Sequence, residues 1–432
     1  MSDRGNPTSA ALARLEMSRT PLHTVLLRAL LLASLAGSGL VRAAEDLPSS
    51  RAAAGNTALE DISLLDDDDS PAVLEAITRL ESSEGAYAAG LSEQLLSLGL
   101  KLQSQGRHGE AVTIFKRGVH LARINGGLYC EEQIPLLESE ITSHLALGQY
   151  AEADERQHYL YRVQVRSLDG GRPRTLAFMQ QANWQFNAYR LGVGEQDFGR
   201  LMNMWDLYRL ALNDIATREG ETSVNLLPPL RGMLQAQYLI SGYAGEAPSA
   251  GFSTGETFVD QQQQNRFNAF RAQSYKKGRA VILAIYDIER EHHGADSVEA
   301  AEALVMLGDW LLWHEERDAA KQAYGDAFAE LVKLDDAQGD IERIFGEPAA
   351  LPDLDGVRPL PVAAEGGNIV LEFGVTREGR VVDLERIDDN EVSDGKANRL
   401  MRTLRKTRFR PRFETGEPVG TDKIVRAYSI VD

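Results

Sequence analysis

The sequence predicts a mainly α-helical chain, an array of stacked helical hairpins, that ends in a small α+β domain. Three observations predict it. Leucines and small residues recur at helix–turn–helix offsets in two places far apart in the chain. Apolar residues keep a helical period through most of the stretch between them. After a run of prolines, the C-terminal residues change to the alternation of strands. Composition agrees with a folded chain. Of 432 residues, 43% are hydrophobic and 25% charged, unlike a disordered, collagenous or polytopic membrane sequence. The net charge of −18 argues against nucleic acid as a partner of the whole surface. A single cysteine, Cys130, excludes an intramolecular disulfide framework and any site built from several thiolates.

Taken in order, residues 1–43 read as a signal peptide. Ala29 to Val41 is an uncharged apolar run preceded by Arg14, Arg19 and Arg28, and Val41-Arg42-Ala43 offers a cleavage site. Met17 is an alternative start, and Ala44 would open the mature chain. The rival is an uncleaved membrane anchor from Leu22 to Val41, which Arg28 interrupts. No cysteine follows the core, so a lipid anchor is excluded. The expected address is the periplasm, with an inner-membrane location as the alternative. One lone cysteine suits an oxidising compartment.

Residues 44–70 are small, polar and acidic and read as a disordered lead-in. Asp66 to Asp69 lack the alternating spacing and glycine of a calcium loop, so a solvated run is expected.

Residues 71–345 form the helical array. Leu95, Leu98, Gly99, Leu102, Gly106, Ala111, Phe115 and Gly118 fit two antiparallel helices, with Gly99 and Ala111 allowing close approach and Gly106 the turn. Leu304, Leu307, Gly308, Leu311, Ala320, Tyr324 and Ala327 repeat those offsets, with Glu315 in place of the turn glycine. Gly148, Tyr150 and Ala153 are a partial third instance, in which Glu140 and Ile141 replace Leu and Gly. These offsets resemble the tetratricopeptide (TPR) repeat, which implies a TPR-like α-solenoid with a binding groove. Gly106 and Gly148 are 42 residues apart, so longer helices than usual are expected. Leu176–Leu191 with Phe198–Leu212 reads as one helix pair. Pro228-Pro229 opens a helix through Tyr238, and Phe267–His293 is one long amphipathic stretch. Residues 243–264 read as a disordered loop rich in Gly, Ser, Thr and Gln. Trp310 and Trp313 are expected in the seam near Gly308.

Residues 346–361 hold Pro348, Pro352, Pro359 and Pro361 and read as a stiff linker of about 50 Å if extended. Residues 362–432 then follow as β-β-α-β: a strand Ile369–Val375, a turn Thr376–Gly379, a strand through Val381, Val382, Leu384 and Ile387, a helix Lys396–Lys406, a turn Gly416–Val419, and a last strand Lys423–Ile430. Phe373, Val375, Gly379, Val381, Phe409 and Pro411 make this stretch similar to the C-terminal domain of the TonB family. The family's Tyr-Pro and short helix before the first strand are missing, where only Pro361-Val362-Ala363-Ala364 stands. The resemblance implies a binding module that adds a partner's extended segment to an edge strand. The candidate residues are Lys423, Ile424, Val425, Arg426, Ala427 and Tyr428. Docking of the domain on its own array, or dimerisation, would use the same edge.

From Leu360 on, 13 basic and 13 acidic residues cancel, the leader carries +3, and the middle carries −21. Arg399 to Arg412 hold seven cations and no acid. Candidate contacts Arg408, Arg410 and Arg412 belong to this cluster. Docking on the acidic array, contact with anionic lipid or cell-wall polymer, and plain hydration are the competing readings.

No nucleophile-elbow, Walker, Rossmann or H-E-x-x-H pattern occurs. The chain is therefore expected not to be an enzyme, with no catalytic, cofactor-binding or metal-ligating residue. His292 and His293 are adjacent and point apart on a helix. Cys130 is expected to be a buried small apolar residue. The partners expected are other envelope proteins or peptides, an outer-membrane protein among them, and a membrane only if the N-terminal segment is uncleaved. The whole reads as an exported noncatalytic interaction scaffold. The alternative is a membrane-anchored energy transducer of the TonB type acting on an outer-membrane transporter.

Overall fold

The computed structural model describes residues 70–194, 197–245, 258–388 and 394–429. The export signal and the acidic lead-in lie outside the described residues, apart from Ser70. Among the described residues no helix is long and apolar enough to cross a membrane. The chain is mostly helical with a small C-terminal α+β part, and it forms two compact units that divide at Arg218/Glu219.

The first unit contains α1 (Ser70–Glu84), α2 (Leu91–Ser104), α3 (His108–Gly126), α4 (Gln133–Ala146), α5 (Tyr150–Ser167), α6 (Arg172–Arg190) and α7 (Asp197–Glu219). Its hairpins share one way of turning. At the end of α2, the Arg107 N–H donates to the Leu102 carbonyl at 2.9 Å across Gly106. The same six-residue closure recurs after α4, from Gln149 to His144 across Gly148, and after α6, from Val193 to Ala188 across Gly192. These three glycines have φ of 76°, 70° and 64°, the left-handed region that ends helices and that side chains with a Cβ resist. Gly192 extends the repeat to the α6–α7 pair, where the sequence carries no other part of the signature. Within the first hairpin, a Cβ on Gly99 would sit 2.3 Å from the Phe115 ring, so the missing side chain is what lets α2 and α3 pack. Leu91, Leu95, Leu98, Leu102, Ala111, Ile114 and Phe115 fill that seam.

Polar groups tie the later hairpins together. Asp154 of α5 accepts from the Trp184 indole of α6 at 2.7 Å and from Arg200 of α7 at 2.8 and 3.1 Å. Glu140, standing where the repeat expects an apolar residue, is fully buried and meets Arg156 at 2.9 Å. Its neighbour His144, one turn on, lies 3.6 Å away.

The second unit contains α8 (Leu227–Gly242), α9 (Phe258–Arg271), α10 (Ser274–His293), α11 (Val298–Trp313), α12 (Arg317–Val332) and α13 (Gln338–Phe345), then the C-terminal module. Pro228 and Pro229 do open α8. The expected loop 243–264 is helical from Phe258, because its glutamines are good helix formers once glycine and proline are behind them. The single stretch expected over 267–293 is two helices, broken between Arg271 and Ser274. In the α11–α12 hairpin, Glu316 closes on Leu311 at 2.9 Å. Glu315 takes the glycine's seat with φ of 67°. A Cβ on Gly308 would lie 2.4 Å from Tyr324, which repeats the Gly99–Phe115 contact. Trp310 is buried in the seam, and its indole donates to the Tyr275 carbonyl at 3.0 Å.

The C-terminal module holds β1 (Ala349–Leu351), β2 (Ile369–Val375), β3 (Val381–Arg386), α14 (Asp394–Lys406), β4 (Arg408–Arg410), β5 (Arg412–Glu414), β6 (Glu417–Val419) and β7 (Thr421–Tyr428). The main sheet is antiparallel in the order β3-β2-β7, and β1-β4 and β5-β6 are separate pairs. Alternation puts Ile369, Leu371, Phe373 and Val375 on one face, where Ala397, Leu400 and Leu404 of α14 cover them with Phe409 and Tyr428. The expected linker 346–361 is part of this fold. Ala349, Ala350 and Leu351 pair with Arg410, Phe409 and Arg408, and Leu351 is fully buried. The expected turn Gly416–Val419 lies one step earlier. Thr415 and Gly416 are left-handed, and Glu417–Val419 is a strand.

Candidate interaction edge of the C-terminal sheet

Strand β7 lies at the edge of the main sheet, paired on one side with β2 in the register Ile369–Tyr428, Leu371–Arg426, Phe373–Ile424 and Val375–Thr421. On its other flank the far end is occupied. Ala363 bridges Tyr428, and the Ala364 N–H donates to the Ala427 carbonyl at 2.9 Å. Among the described residues no strand lies beside Thr421 to Arg426 on that flank. An edge of this kind carries backbone donors and acceptors spaced to receive an extended segment.

The candidate residues separate along this strand. Lys423 is exposed and pairs with Glu372 at 2.7 Å across the outer face. Val425 is 51% exposed. Ile424 packs against the core under α14. Arg426 points back to Glu347 at 3.4 Å and to the Pro348 carbonyl at 3.3 Å. Ala427 and Tyr428 are covered by the 363–364 bridge, and Tyr428 is 1% exposed. The usable part of the edge is thus Thr421–Val425, shorter than Lys423–Tyr428 and displaced toward the strand's start.

The three candidate arginines are each paired within their own unit. Arg410 is buried. Its guanidinium donates to Asp309 of α11 at 2.7 Å and to Asp353 at 3.0 Å. Asp309 in turn accepts from the Tyr324 hydroxyl of α12 at 2.8 Å. Burial pushes the Asp309 carboxyl up, with Arg410 and Tyr324 pulling against it. Burial likewise disfavours the Arg410 charge, but Asp309 leads the groups that reverse this and keep it protonated. Arg410 is therefore not a contact for a partner. It fastens the module to the last helical hairpin. Arg408 pairs with Glu315, the residue in the left-handed turn, and Arg412 pairs with Glu414 of its own hairpin at 2.7 Å. Beside them, Phe413 stacks among Tyr324 and Phe345 at centroid distances of 5.4 and 4.9 Å. Sequence reasoning missed Asp309 and Asp353. The available signal was an acid next to Gly308 in an otherwise apolar seam, which needs a buried cation.

A cavity of about 310 Å³ opens between the first turn of α12 and the β5–β6 hairpin, floored by Leu312, Tyr324, Pro411 and Phe413. On its rim Lys321 pairs with Glu417 at 2.6 Å and Arg377 with Glu378 at 2.7 Å. The adjacent histidines diverge as expected. His292 meets the Thr222 carbonyl at 2.8 Å, and His293 meets Glu289 at 3.2 Å.

No family model matches the chain, and no curated protein matches it. Among solved structures, the chain is similar to the crystal structure of a putative kinesin light chain from Podosopora anserina with nearly identical TPR-like repeats. The similarity covers 57% of this chain and 96% of that one, at 13% identity and a TM-score of 0.36.

Proposed function

We propose that this chain is an exported, noncatalytic protein–protein interaction scaffold of the bacterial cell envelope. Its TPR-like hairpins form one binding body. Its C-terminal module, TonB-like in Phe373, Val375, Gly379, Val381, Phe409 and Pro411, adds an extended segment of an envelope protein to β7. The observation that carries the reading is the flank of β7 from Thr421 to Val425, beside which no strand lies among the described residues. The family's glycine supports it. Gly379, at φ 73°, brings the hairpin turn so close to β4 that a Cβ would lie 2.0 Å from the Phe409 carbonyl.

A photo-crosslinking residue placed at Val425 should trap a partner in intact cells, and one placed at the exposed Glu75 of α1 should not. Val425→Pro should abolish the adduct at a second probe in Lys423, because proline removes a ladder donor. Equal adducts at all positions, or none at Val425, would end the strand-addition reading. N-terminal sequencing tests the export half. Ala44 as first residue supports it, and an intact Leu22–Val41 replaces it with the anchored transducer.

A further inference from the structure

On the first unit, far in sequence from the sheet edge, arginines and tyrosines gather where the α3–α4 connection meets α5. Arg166 lies over the Tyr129 ring at 4.3 Å, and Arg162 lies over the Tyr159 ring at 5.6 Å. Tyr159 is held in place by its hydroxyl, which donates to Gln133 at 2.7 Å and lies 3.3 Å from the Leu128 carbonyl. Tyr159, Arg162 and Arg166 fall on one face of α5 at helical spacing. Arg123 of α3 is close enough to act on the same phenol. Burial raises the Tyr159 pKa, and Arg123 and Arg162 oppose it.

Two features distinguish this patch from ordinary surface charge. First, no carboxylate lies at ion-pair distance from any of the three guanidiniums among the described residues. The Arg162 Nε is moreover buried without a hydrogen-bond partner, a state that costs free energy until an acceptor arrives. Second, Ile124, next to Arg123 in α3, and Leu128, whose carbonyl lies 3.3 Å from the Tyr159 hydroxyl, are 49% and 53% exposed. Arginine and tyrosine around exposed aliphatics is the composition of an interface centre.

We infer that this patch is a second docking surface, independent of the β7 edge, for an acidic protein segment that also carries aliphatic side chains. Carboxylates of the segment take the free donors of Arg162, Arg166 and Arg123, and its aliphatic groups cover Ile124 and Leu128. The tyrosines hold the guanidinium planes in position, so little side-chain freedom is lost on binding. Nucleic acid is the other polyanion that arginine and tyrosine attract. The exposed aliphatics have no use for a phosphate backbone, and the chain's overall charge repels a long polyanion.

The test is fluorescence anisotropy on the full chain with three labelled probes. One is a twelve-residue peptide of aspartate and glutamate interrupted by leucines. The second has those leucines replaced by serine, and the third is a twelve-nucleotide oligothymidylate. The leucine peptide should bind saturably. The serine peptide should bind about fivefold more weakly, and Arg162→Gln/Arg166→Gln should weaken the leucine peptide at least about tenfold, as expected for hot-spot contacts. Arg399→Gln/Arg402→Gln on α14 should leave binding unchanged, and circular dichroism checks that each variant keeps its helices. No saturable binding, an equal loss in the α14 variant, or preference for the oligothymidylate overturns the proposal.

Discussion

Removing the Arg410 guanidinium would strand Asp309 in the interior with only the Tyr324 hydroxyl as donor. Breaking a buried pair from one side costs about 3–5 kcal/mol, far more than losing an exposed ion pair. Arg410→Ala should therefore lower the unfolding free energy of the second unit by that amount and its urea midpoint with it, read from the fluorescence of the nearby Trp310. Asp309→Asn combined with Arg410→Gln should cost less than the sum of the two single changes, because no lone charge remains. Additive losses would show that the two side chains do not depend on each other. The same reasoning explains why a residue read as a surface contact is a fastening. A cation among cations looks solvated in sequence, but two acids 57 and 101 positions away bury it.

At the scale of the element, the helical hairpins separate two roles for glycine. Gly106 sits in open space with φ of 76°, so Gly106→Ala should cost about 1 kcal/mol from backbone strain alone. Gly99 has ordinary helical backbone but a ring 2.3 Å from where a Cβ would stand. Gly99→Ala should cost about 1–3 kcal/mol from overpacking, and Phe115→Leu in the same chain should recover part of it. Phe115→Leu should not rescue Gly106→Ala. Thermal melts of the four variants check this. Glu315 shows that the cap tolerates a side chain where another interaction offsets the strain, here the ion pair with Arg408.

At the scale of the whole molecule, the two units respond to pH through different buried acids. Asp154 is partly buried, which raises its pKa, but hydrogen bonds from Arg200 and Trp184 outweigh burial and hold the carboxyl below its ordinary value of 3.8. A carboxylate depressed in the folded state contributes stability above the unfolded value, and that contribution is lost as pH falls through the folded value. The melting temperature of the wild type should thus exceed that of Asp154→Asn at pH 7, and the gap should close as pH drops below about 4. A gap independent of pH would assign the effect to packing. In the second unit the C-terminal module is not carried on a free spacer. Leu351 and Phe413 share one core with Tyr324, Phe345 and the α11–α12 seam, so module and hairpin are expected to unfold together.

Local order was determined by the sequence alone. Strand Ile369–Val375 and the helix pairs at Gly99 and Gly308 are read correctly because a period of two or of 3.6 depends only on neighbouring residues. The pitch of the repeat was visible at Gly106 and Gly148, and Gly192 was available to the same argument. Tertiary structure alone decided where the chain divides, that the proline-containing segment supplies β1, which part of β7 stays open, and which arginine is buried. Each of those depends on a contact between residues distant in the chain, and alternation or composition within a short window carries no information about what packs on the other side.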